Sequence, residues 1–157
     1  MGLGWLGRFF LRDRQNRGNS ASEDDRTVLL VTCYSSEQNT LRAIANAEPW
    51  RLLVAPSLDC AMRILQQEPV TVVLYDRDLP TITWQGGFRT LLRGSPLICL
   101  ILLSPVLAEQ LRWSVLSSGG YDIARRPVDR AALVRLVNGY CALRKEIDAV
   151  ESKAPAK

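Results

Sequence analysis

From Thr27 onward the chain alternates short apolar runs with amphipathic stretches. Thr27–Thr32 (TVLLVT), Arg51–Ala55 (RLLVA), Val70–Tyr75 (VTVVLY), Leu97–Leu103 (LICLILL) and Tyr121–Ala124 (YDIA) have the length and composition of strands. The third and fourth are apolar at nearly every position, as expected for strands buried on both faces of a parallel sheet. Between the strands, 36–47, 57–67, 84–92 and 106–116 predict helices, and a last helix runs from about Val128 towards Val150. Ser36 and Ser57 stand where helix caps are expected. Asp129 falls in the first turn of the last helix, where its charge suits the helix dipole. Strand followed by helix, repeated along the chain, predicts a five-stranded parallel α/β sandwich with right-handed crossovers. In such sheets the working residues lie at the carboxyl ends of the strands. Here those are Thr32 and Cys33, Pro56, Asp76 and Asp78, Ser104, and Arg125 and Arg126.

The two ends of the chain break this pattern. Residues 1–26 are a basic amphipathic tail and an acidic linker, 27–142 the folded domain, and 143–157 a helix extension and tail. Met1–Arg17 places Leu3, Leu6, Phe9 and Phe10 at roughly helical spacing among Arg8, Arg12, Arg14 and Arg17. It is not a secretory signal, because the basic residues follow the apolar ones and no small-residue cleavage site appears. Leu6 stands where a myristoylation signal needs Ser or Thr. Such a segment suits an anionic membrane surface or a protein partner, and equally a frayed, partly helical tail; Trp5 favours an interfacial or docking role and does not separate the two. Gly18–Arg26 (GNSASEDDR) reads as a linker. The last helix carries Leu133, Leu136, Val137, Tyr140, Leu143, Ile147 and Val150 at 3–4 spacing. Its first half is core, whereas the part past Tyr140 exposes an apolar stripe that suits a helical partner or a homodimer. About 30 residues follow Val128, too few for an output domain, and Ser152–Lys157 (SKAPAK) is expected to be disordered.

Composition narrows the chemistry. The 157 residues are 47% hydrophobic and contain no histidine. That removes histidine general bases, Ser-His-Asp and Cys-His pairs, and imidazole metal sites together. No GxGxxG, P-loop or GxSxG occurs, so an α/β enzyme has little to rest on and a non-enzymatic role is expected. The net charge of +4 is scattered, which argues against a nucleic-acid partner. Cys33, Cys60, Cys99 and Cys141 are far apart among apolar neighbours and read as reduced core thiols of a cytoplasmic protein. Trp50, Trp84 and Trp113 read as packing residues. With no apolar run of the roughly 18–20 residues a membrane span needs, the domain is expected to be soluble.

Asp76 ends a strand buried on both faces, and desolvating a carboxylate there demands a compensating cation or function. If the strand order is 2-1-3-4-5, Ser104 and Arg126 flank it. Acid, hydroxyl and cation on one edge would suit an anionic group, and an Asp–Arg pair that merely fixes the loops is equally compatible with the spacing.

Residues 27–142 resemble the receiver domain of bacterial two-component response regulators. VVLYDRDLP matches the apolar run, the phospho-acceptor aspartate and the proline four residues later, which puts Asp76 at the acceptor position. LILLS ends on Ser104 at the family's Ser/Thr position, and GGYDIARRPV puts Arg126 at its lysine position before Pro127. The resemblance implies a flavodoxin-like fold with the 2-1-3-4-5 sheet between five helices. It implies a phosphorelay signalling protein whose partner is a sensor histidine kinase or another signalling protein. It also implies Mg²⁺, but Thr32-Cys33 replaces the acidic pair that holds the ion, leaving Asp76 and Asp78 as a low-affinity site, with Glu37 a distant substitute. Phosphorylation is therefore expected to be slow or absent, and a phosphorylation-independent interaction module is the alternative. Arg126 in place of Lys could clamp Asp76 in a permanent ion pair. Ile123 stands where an aromatic switch residue is usual, which places the usual coupling to the output face in doubt.

Overall fold

The computed structural model describes residues 26–153. Five strands, β1 (Arg26–Val31), β2 (Trp50–Ala55), β3 (Val72–Asp76), β4 (Cys99–Ser104) and β5 (Asp122–Arg125), form one sheet. The order is β2-β1-β3-β4-β5 and every pairing is parallel. Five helices alternate with them: α1 (Ser35–Ala47), α2 (Leu58–Gln67), α3 (Trp84–Gly94), α4 (Glu109–Ser117) and α5 (Arg130–Lys153). The expected flavodoxin-like sandwich is the architecture observed.

Strand periodicity divides the core in two, because alternate side chains leave a strand on opposite faces. Leu29, Val31, Val73, Tyr75, Leu100 and Leu102 pack under α2, α3 and α4. Val28, Leu30, Val72, Leu74, Ile101 and Leu103 pack under α1 and α5. In β3 and β4 every residue is buried, so their unbroken apolar run follows from cover on both sides. Tyr75 fills the first core with its ring edge-on to Phe88, and Phe88 meets Trp84 in the same way. Gly87 is needed beside Tyr75: a Cβ there would stand 2.2 Å from the phenol oxygen.

Several boundaries differ from the sequence reading, each for a local reason. β3 begins at Val72, since Val70 and Thr71 are taken up by a turn and by a bond from the Thr71 amide to the Thr27 carbonyl. β4 begins at Cys99, and Leu97 sits in the preceding turn, 69% exposed. α4 begins at Glu109 instead of Val106, because the Ser104 hydroxyl both accepts from the Val106 amide and donates to its carbonyl, holding a turn. Ser57 caps α2 by accepting from the Cys60 amide, as expected. Ser36 caps nothing: α1 starts one residue earlier, and the Thr32 hydroxyl accepts from the Tyr34 amide instead. Asp129 precedes α5 and accepts from the Ala132 amide. α5 continues to Lys153, past the point where the tail was expected to fray.

Cys60, Cys99 and Cys141 are buried thiols, but Cys33 is exposed in the loop after β1. Trp50 and Trp84 are core residues, whereas Trp113 is 64% exposed on the outer side of α4 and does not pack as expected. No described helix is long and apolar enough to cross a membrane. The basic segment and most of the acidic linker lie outside the described residues, as do residues 154–157.

Candidate functional site

β1 and β3 are neighbours with Val31 opposite Tyr75. Continuing that register by one residue sets Thr32 against Asp76, and both side chains are shielded from solvent. The Thr32 hydroxyl donates to Asp76 Oδ2 at 2.7 Å. On the other side of the carboxylate, Oδ1 accepts from the Asp78 backbone amide and from Arg126 Nη1, each at 2.9 Å. Arg126 reaches the site from the loop after β5, just before Pro127. Its second terminal nitrogen pairs with Asp78 Oδ2, so one guanidinium spans two carboxylates. That is the planar fork a lysine would lack.

Ser104 is close in sequence register but does not join this cluster. β3 and β4 set Asp76 opposite Leu103, so Ser104 aligns with Arg77, and the alternation of side chains carries it to the other face. The Ser104 hydroxyl accepts from Arg77 Nη1 at 3.3 Å and is otherwise bound to the Val106 backbone. Asp76 and Arg126 therefore meet as expected, while the serine belongs to an adjoining turn. Ile123, in β5, is buried in the first core.

Two neighbours complete the rim. Tyr34, which the sequence reading did not single out, donates its phenol hydrogen to the Asp78 carbonyl at 3.2 Å. The Cys33 thiolate form, with smaller contributions from desolvation, Asp76 and Asp78, holds the Tyr34 phenol above its ordinary pKa against the opposing pull of Arg126. The signal for Tyr34 is positional: it lies two residues beyond the strand end that supplies Thr32. Glu37 sits in the first turn of α1, with one carboxylate oxygen buried and unpartnered among the described residues. Burial pushes its pKa up; Arg126 pulls it partly back and Asp76 adds to the rise.

The donor set does not suit Mg²⁺. That ion requires near-octahedral oxygen ligation. Here both Asp76 and Asp78 are engaged by a guanidinium, Thr32 directs its hydroxyl hydrogen at Asp76, and no group of three His, Cys, Asp or Glu side chains converges among the described residues. What the arrangement can do is hold a buried carboxylate in place: the Thr32 hydroxyl, the Asp78 amide and the two terminal nitrogens of Arg126 are committed to Asp76 and Asp78, while Arg126 Nε is buried without a partner among the described residues.

Comparison with known proteins agrees with this geometry at the level of the fold. No family model matches the chain. The uncharacterized 14.6 kDa protein in the sodA1 3′ region of Leptolyngbya boryana is 30% identical over 117 residues, covering 73% of this chain and 88% of that protein. The chain belongs to the same family as that protein. Among solved structures, a response regulator receiver domain from Clostridium thermocellum superimposes with a TM-score of 0.70 at 18% identity, covering 78% of this chain and 98% of that one. The chemotaxis response regulator CheY4 of Vibrio cholerae gives 0.67 at 13% identity, covering 73% and 98%. The receiver domain of Ssk1 from Saccharomyces cerevisiae, solved with the histidine phosphotransfer protein Ypd1, gives 0.69 at 15% identity, covering 77% and 92%. The fold is thus that of a receiver domain.

Proposed function

We propose that this receiver-fold chain is a non-enzymatic signalling module that engages its partner without phosphorylation of Asp76. One observation carries the reading: the Asp76 carboxylate is fully buried and already met by Thr32, Arg126 and the Asp78 amide. A phospho-acceptor must present an oxygen to an incoming phosphorus, with a cation to neutralise the charge that develops there. In this pocket Arg126 stands between the two carboxylates that would hold the cation, and a metal would have to displace it. The partner class that suits the fold is another signalling protein, such as a sensor histidine kinase or a phosphotransfer protein.

Intact mass after incubation with acetyl phosphate and Mg²⁺ tests the reading. The unmutated chain is expected to gain no phosphoryl group. A variant carrying Thr32→Asp, Cys33→Asp and Arg126→Lys is expected to gain one, and to lose it again when Asp76→Asn is added. An adduct on the unmutated chain that Asp76→Asn abolishes would overturn the proposal and make Asp76 a working acceptor.

A further inference from the structure

The apolar seam of α5 does not end where the domain does. Leu136 and Tyr140 lie against the core, and Leu143, Ile147 and Val150 continue their line at spacings of three and four into solvent, Val150 being 71% exposed. The Tyr140 hydroxyl donates to the Leu97 carbonyl, so exposed Leu97 borders the same stripe. A solvated helix extension would carry polar residues on this line.

A second copy of the chain is the simplest cover by pattern, but the charges oppose it. In a parallel pair with Tyr140 and Ile147 at a positions and Leu143 and Val150 at d positions, Glu146 of one helix faces Glu151 of the other. In the antiparallel register that stacks Leu143 on Ile147, Arg144 faces Arg144 and Glu146 faces Glu146. Along the stripe Glu146 and Glu151 have no ion-pair partner among the described residues, whereas Arg144 is already paired with Asp148 and Lys153 stands only at the helix end, so its edges call for an apolar ligand carrying basic residues.

The sequence carries a segment of that chemistry, and the described fold begins next to this helix. Arg26, where the described residues begin, bonds Asn138 of α5 through its guanidinium. Residues 1–17 carry Leu3, Trp5, Leu6, Phe9 and Phe10 together with four arginines. Gly18–Asp25 can span about 26 Å when extended, whereas Val150 lies only about 18 Å along the helix from Asn138. We propose that the N-terminal segment of the same molecule docks on the α5 stripe, its aromatic residues covering Leu143, Ile147 and Val150 and its arginines meeting Glu146 and Glu151. This site is separate from the Asp76 pocket and does not depend on how that pocket works.

Hydrogen exchange of the full chain tests it, read in peptides covering 143–153. Phe9→Ser with Phe10→Ser is expected to accelerate exchange there by about tenfold, with β3 and β4 unchanged and the protein monomeric at every concentration. Glu146→Lys with Glu151→Lys is expected to act in the same direction by a smaller factor. Three results would each overturn the proposal. The first is no change in 143–153 on substituting the two phenylalanines. The second is protection that grows with protein concentration alongside a dimeric mass, which would make a second copy the cover. The third is a Phe9/Phe10 effect present only with vesicles containing anionic lipid, which would assign the segment to a membrane surface.

Discussion

Without its guanidinium partner, Asp76 would keep a hydroxyl and one amide as its only donors while shielded from solvent on all sides. Breaking a buried ion pair from one side leaves an uncompensated charge, so Arg126→Met is expected to lower stability by about 3–5 kcal/mol. Asp76→Asn should lower it less, since a neutral amide needs no countercharge, and the double variant should fall short of the sum. Chemical denaturation of the four proteins measures this coupling, and strict additivity would mean the pair contributes nothing. Glu37 behaves in the opposite sense. Its folded pKa is raised above 4.5, chiefly by burial, so the folded state holds that proton more tightly than the unfolded chain does. Stability is therefore lost as pH rises from the unfolded value through the folded one. Glu37→Gln is expected to raise the denaturation midpoint at pH 7, with the gain shrinking as pH falls towards 4.5. A lower midpoint at pH 7 would show that attraction to Arg126 outweighs burial.

Among the elements, the two serines read as caps separate what sequence reveals from what it hides. Ser57 stands before an amphipathic stretch with no competing donor or acceptor, and it caps α2. Ser36 has the same chemistry, but β1 places Thr32 where its hydroxyl reaches the Tyr34 amide first, and the helix start moves. Ser57→Ala is accordingly expected to cost about 1 kcal/mol, and Ser36→Ala close to nothing, in denaturant midpoints. The contact of β3 with α3 was also hidden in the sequence. Tyr75 looked like one more apolar strand position, yet its hydroxyl is buried without a partner among the described residues and its pKa is pushed up to about 12, by desolvation and then by Asp76. Tyr75→Phe removes an unsatisfied polar atom and is expected to be neutral or stabilising. Gly87→Ala drives a methyl group into the ring and is expected to destabilise by about 1–3 kcal/mol. If Tyr75→Phe were instead clearly destabilising, the hydroxyl must hold a bound water.

Across the whole molecule, the parallel sheet was legible in the alternation of apolar runs with amphipathic stretches, and the strand order in the resemblance to receiver domains; given that order, the loop after β5 lies one strand away from the end of β3, a gap that the long Arg126 side chain spans to meet Asp76. The place of Ser104 was not, because a shift of one residue along β4 carries its hydroxyl across the sheet to Arg77. Trp113 was misread for a similar reason, since an aromatic on a short amphipathic helix can face either way and only the packing of its neighbours decides. That packing is thin. In α4, Val115 alone is buried, while Trp113, Leu116 and the preceding Leu107 stand in solvent beside a cavity of about 360 Å³, and Val106 is exposed as well. β3 and β4, by contrast, are covered on both faces along their whole length. Local opening follows buried contacts, so the molecule should come apart in a definite order. Amide exchange is expected to be fastest, among the helices flanking the first core, in α4, and slowest in β3 and β4, where exchange should require global unfolding. Adding denaturant should then speed β3 and β4 in proportion to global stability while leaving α4 nearly unchanged until the main transition. If α4 exchanged together with the central strands, its exposed aromatic face would have to be covered in solution, and a partner or a further segment of the chain would be holding it there.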